Sequence, residues 1–93
     1  MPKIIKPKTD ERLKAETEKW LARLEERVKS VKPVEDRLER AVLKNSMDNV
    51  NAYIKDCRHF LAGGDLVNAF EAIIYAWGIF ETLERMKLLK DKR

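Results

Sequence analysis

Gly63-Gly64-Asp65 separates two long runs in which apolar residues return every three or four positions, and that break constrains the fold more than any other feature. Glycine readily supplies the left-handed conformation in which helices end, and aspartate is a strong cap for the helix that follows. A connection this short makes two helices fold back on each other as an antiparallel hairpin. Gly63, Gly64 and Asp65 are therefore read as capping residues.

The run before the break predicts a helix over residues 34–62, with Val34, Leu38, Ala41, Val42, Val50, Tyr53, Ile54, Cys57, Phe60 and Leu61 on its apolar face. Its centre, KNSMDNVN, holds side chains that compete for backbone hydrogen bonds. A continuous helix with a polar middle is expected, with a break capped by Ser46 as the alternative. The run after the break predicts a third helix over 66–90. Leu66, Ala69, Phe70, Ile73, Ala76, Trp77, Phe80 and Leu83 form one face, and Ile74, Tyr75 and Ile79 widen it. So broad an apolar arc marks a central helix, or one touched on two sides.

Upstream, residues 10–31 predict a first helix with Asp10 as its cap and a narrow stripe of Leu13, Thr17, Trp20, Leu21, Leu24, Val28 and Val31. Pro33 separates it from the second helix. Residues 1–9 read as a flexible basic arm and 91–93 as a frayed tail. No stretch has a persuasive strand pattern. The expected fold is all-α: an up–down bundle of three long helices in one domain spanning 10–90.

The chain has 93 residues, 39% of them charged, and a formal net charge of +4. The positive charge belongs to the ends: Lys3, Lys6 and Lys8 at one, and Arg85, Lys87, Lys90, Lys92 and Arg93 against Asp91 at the other. The body between them is net negative. Basic ends can grip nucleic acid, though they more often serve solubility. The single cysteine, Cys57, excludes an intramolecular disulfide and suits a reducing, cytoplasmic setting. No signal peptide and no uninterrupted apolar span of about 18 residues is present, so no membrane association is expected.

Catalytic signals are sparse. His59 is the lone histidine and sits one turn after Asp56, a spacing that could orient a general base. No nucleophile or metal-ligand pattern accompanies the pair, and AGGD matches no phosphate-binding loop. Tyr53, Asp56, His59, Glu71 and Tyr75 are expected to form either a polar cluster between the second and third helices or a small ligand site. No cofactor, metal or catalytic residue is assigned. Gly78 is costly inside a helix. With Ile74, Trp77 and Ile79 it is read as a surface for close approach by another helix or a second subunit.

Tyr53, Asp56, His59-Phe60, Gly64-Asp65, Asn68-Ala69-Phe70, Ala72 and Tyr75-Ala76-Trp77-Gly78 resemble the core pattern of DUF357, an archaeal domain of unknown function, over about residues 36–89. The resemblance implies a small helical cytoplasmic protein and brings no activity or catalytic residue. GGDLVNAFEAIIYAWG is also similar to helical hairpins of the HEPN and tetratricopeptide types. HEPN nucleases place four to six residues between an arginine and the catalytic histidine. Ala52, Tyr53 and Ile54 stand at those spacings from His59, so kinship there would be non-catalytic.

Together these features lead to a non-enzymatic helical interaction or oligomerisation module, pairing with itself or with another helical protein. The alternatives are a nucleic-acid-associated accessory protein, or a non-catalytic HEPN-like partner of a nucleotidyltransferase. A ligand-binding domain built on Asp56, His59 and Tyr75 is a further possibility.

Overall fold

The structure is a computed structural model describing residues 6–34 and 40–92, residues 6–8 by backbone alone. Three helices dominate it: α1 (Lys6–Ser30), α2 (Arg40–Ala62) and α3 (Leu66–Arg85). They are joined by a two-stranded antiparallel ribbon of β1 (Val31–Pro33) and β2 (Leu89–Asp91). The three-helix bundle and the α2–α3 hairpin are as expected; the ribbon is not.

The hairpin turn follows from its three residues. Gly64 takes φ +78°. Its N–H donates to the Leu61 carbonyl at 3.1 Å, and the Asp65 N–H donates to the Phe60 carbonyl at 2.8 Å. These two bonds satisfy the last carbonyls of α2 in the pattern of a Schellman cap. The Asp65 carboxylate then accepts from the Asn68 backbone N–H at 3.2 Å and from its side-chain amide at 2.7 Å, opening α3.

α3 is the middle helix. Ala69, Ala72, Ile73, Ala76, Phe80 and Leu83 are buried, and the small alanines let α2 approach closely with Val50, Ile54 and Cys57. α1 packs mainly on α3, through Leu21 and Leu24, and touches α2 more lightly. Thr17 is wholly buried, and its hydroxyl donates to the Leu13 carbonyl at 2.7 Å, which removes the penalty for its polarity. Two ion pairs on the surface tie the helices together, Arg27 to Glu84 and Arg58 to Glu25.

Several boundaries differ from expectation. α1 begins at Lys6, so Asp10 lies within the helix and does not cap it, and residues 6–9 are helix rather than arm. Pro7 is compatible with this start because the first turn has no intrahelical use for its N–H. Val34 lies outside helix, and α2 is described from Arg40, so the expected start at 34 moves later; Leu38 is outside the described residues. α2 runs unbroken through Asn45–Asn51, and Ser46 caps nothing. Its upper stripe is rotated from the expected one. Leu43 is buried, whereas Ala41 and Val42 are exposed.

α3 stops at Arg85 rather than 90 because Lys87 adopts φ 59°, a conformation a helix cannot continue. The Leu88 N–H donates to the Leu83 carbonyl at 3.0 Å, and the chain leaves as β2 instead of fraying. Val31 pairs with Asp91, Lys32 with Lys90 and Pro33 with Leu89. Pro33 is acceptable there because the ribbon is all edge.

Candidate functional site

Of the five residues expected to converge, only the two tyrosines meet. Tyr53 on α2 and Tyr75 on α3 have ring centroids 5.6 Å apart, tilted by 36°. His59 lies edge-on to its own neighbour Phe60 at 5.7 Å, and Asp56 and Glu71 are exposed. No hydrogen bond among the described residues joins any two of the five. Among the described residues, none of the principal cavities is lined by Tyr53, Asp56, His59 or Glu71. Of the five, Tyr53 and Tyr75 alone bridge the two helices; Asp56, His59 and Glu71 face solvent. Among the described residues no group of three metal-ligating side chains gathers. Cys57 is fully buried, and desolvation pushes its thiol up to about 11, so it stays protonated and unreactive in the folded chain.

The expected contact surface divides in two. Trp77 turns toward α1: its indole N–H donates to the Trp20 carbonyl at 2.9 Å, and the two indoles pack edge to face at 5.8 Å. Arg23 covers the Trp20 ring from 4.8 Å. Trp77 therefore belongs to the α1–α3 joint. Ile74, Gly78 and Ile79 line a separate feature, a groove of about 640 Å³ between α2 and α3, on the side of α3 away from α1.

This groove collects most of the exposed greasy surface. Of the five large hydrophobic side chains left exposed among the described residues, Val42, Ile74, Tyr75 and Met86 line it; Val67 does not. Its two polar walls are Ser46 and Thr82, and the Thr82 hydroxyl is engaged with the Gly78 carbonyl at 2.8 Å. The groove stands out on an otherwise charged surface.

Gly78 has no explanation among the described residues. A Cβ built there would meet none of them within 4 Å, so no described element requires the glycine. A glycine in a helix interior costs about 1 kcal/mol relative to alanine. Successive helical positions turn by about 100°, so residues two apart face nearly opposite ways. Ala76 and Phe80, both fully buried, flank Gly78 at that spacing, and Gly78 accordingly faces away from the core.

A family model described as a protein of unknown function, DUF357, matches residues 19–89. The chain belongs to the DUF357 family. The DUF357 match begins well before the residues that first suggested it and includes the half of α1 that carries Trp20, Leu21 and Leu24. A crystal structure from the same family, protein AF1782 from Archaeoglobus fulgidus, is similar to the chain at 39% identity with a TM-score of 0.76. The similarity covers 90% of this chain and 99% of that one. No curated protein shows significant similarity. DUF357 membership thus fixes the helical fold and carries no assigned activity.

α3 is also long and apolar enough, by length and composition, to cross a membrane. In the bundle its most apolar face is spent against α1 and α2, which is the use a central helix makes of such a composition.

Proposed function

We propose that this DUF357 chain is a non-enzymatic interaction module whose α2–α3 groove receives an apolar helix. The clustering of Val42, Ile74, Tyr75 and Met86 at the groove carries this reading. Helix-in-groove recognition needs an apolar trough with few charges and anchors at helical spacing, and Ile74, Gly78 and Thr82 provide a ridge at four-residue intervals beside Tyr75 and Ile79. The test is selection of a displayed helical-peptide library on the folded protein. Peptides with an i, i+3/i+4, i+7 apolar stripe are expected to be enriched and to lose at least about tenfold in affinity on Ile74→Glu, a change of about 1.4 kcal/mol. Binders indifferent to Ile74→Glu, or an absence of binders, would remove the groove from the account.

A second reading, as a nucleic-acid-associated accessory protein, has its own observation. Lys32 and Lys90 are direct partners across the ribbon, both exposed, with Lys29, Lys87 and Lys92 nearby in sequence. Like charges directly opposite destabilise a strand pair, and a polyanion would relieve them. Residues 1–5 and 93, which carry part of the basic charge, lie outside the described residues. This reading predicts binding of a labelled RNA or DNA oligonucleotide that falls steeply with salt. Lys32→Glu should lower that affinity while raising thermal stability through a new cross-strand pair with Lys90. Salt-independent binding, or none, would leave only the stability gain.

A further inference from the structure

Gly78 is the midpoint of a charge pattern that inverts about it. Glu71 stands seven residues before Gly78 and Arg85 seven after, so all three share one exposed face of α3. Among the described residues neither Glu71 nor Arg85 has an ion-pair partner. An antiparallel helix pair related by a two-fold axis at one residue sets each position opposite the one equally far on the other side. With the axis at Gly78, Glu71 of each copy meets Arg85 of the other, and Ile74 meets Thr82. A parallel pair would instead oppose Glu71 to Glu71 and Arg85 to Arg85.

Resting on the reading of the groove as a helix-binding surface, we infer that its occupant is α3 of a second copy, crossing antiparallel at Gly78. The missing side chain lets the two backbones approach where the axis passes. Ile74 and Tyr75 of each copy then enter the trough beside α2 of the other. Two helices side by side, about 30 Å long and 10 Å apart, offer roughly 600 Å². That area is at the lower end of what a stable dimer buries per partner. A dimer dissociating in the micromolar range is therefore expected.

The experiment is sedimentation velocity on the full chain from low to high micromolar concentration. Wild type is expected to dimerise. Glu71→Arg and Arg85→Glu each create two like-charge contacts and should weaken the dimer about tenfold or more. An equimolar mixture of the two should recover it as a heterodimer. Both positions are exposed, so circular dichroism should show both variants folded. Gly78→Ala should raise the melting temperature of the dilute chain by about 4–8 °C and weaken association. Orientation is read from oxidation. Ile74→Cys mixed with Thr82→Cys should crosslink, neither should crosslink alone, and wild type with its buried Cys57 is the blank.

Self-crosslinking of Ile74→Cys, or a dimer indifferent to both charge reversals, would overturn the antiparallel axis and leave the groove as an interaction surface. A chain that stays monomeric throughout would overturn the second copy as occupant. In that case groove-dependent peptide binding would still support the broader reading, and its absence would remove both.

Discussion

Phe80→Ala is expected to destabilise the protein by about 3–5 kcal/mol. Phe80 is fully buried, edge-on to Trp77 at 6.1 Å, with the Arg27 guanidinium 5.8 Å from its ring centroid. It fills the point where α1, α3 and the end of the bundle meet. Truncation removes apolar burial and opens a cavity that rigid neighbours close only partly. A domain of this length holds roughly 5–14 kcal/mol in total, so the variant should melt about 15–30 °C lower. Urea unfolding measures the loss directly. Phe80→Leu, which keeps most of the volume, should lose far less. A loss below about 1 kcal/mol for Phe80→Ala would mean that the ring is not part of the core.

Trp77→Ala is the second large effect, about 2–4 kcal/mol, and it should be uneven. The indole joins α3 to α1 by an edge-to-face contact with Trp20 and by its hydrogen bond to the Trp20 carbonyl. α1 has a narrow stripe and lies mainly on α3, whereas α2 and α3 share the alanine-lined seam. Hydrogen exchange should therefore speed up in α1 while the α2–α3 hairpin keeps its protection. Trp77→Phe should retain the packing and lose only the hydrogen bond, about 1 kcal/mol. A uniform rise in exchange over all three helices would contradict a separately docked α1.

What could be read in advance was what is local. Gly63-Gly64-Asp65 acts through bonds spanning a few residues, so the hairpin was legible, as was the core face of α3 from Ala69 to Leu83. The ribbon was not: each strand has three residues, and its partners belong to opposite ends of the hairpin. Leu43 was overlooked because its neighbours Ala41 and Val42 continue the periodicity equally well; only the packed structure decides the rotation of that turn. Grouping Trp77 with Gly78 failed for a related reason. Adjacent helical residues point about 100° apart, so one joins α1 and the other faces solvent. The expected cluster of Tyr53, Asp56, His59, Glu71 and Tyr75 rested on spacing within each helix, but nothing local sets how two helices are turned toward each other.

The β1–β2 ribbon has a bearing on the order of assembly. Val34 donates to the Leu88 carbonyl, and Lys92 to that of Ser30, at 2.9 and 3.1 Å. These bonds fasten the entrance of the hairpin to its exit. Closing so long a loop from an open chain is entropically costly for a handful of bonds, whereas the glycine turn closes with almost none. The hairpin is therefore expected to come together first and to carry the two strand segments to each other. The ribbon would then act as a latch, the last part to shut and the first to open, freeing Lys90 and Lys92 as it does.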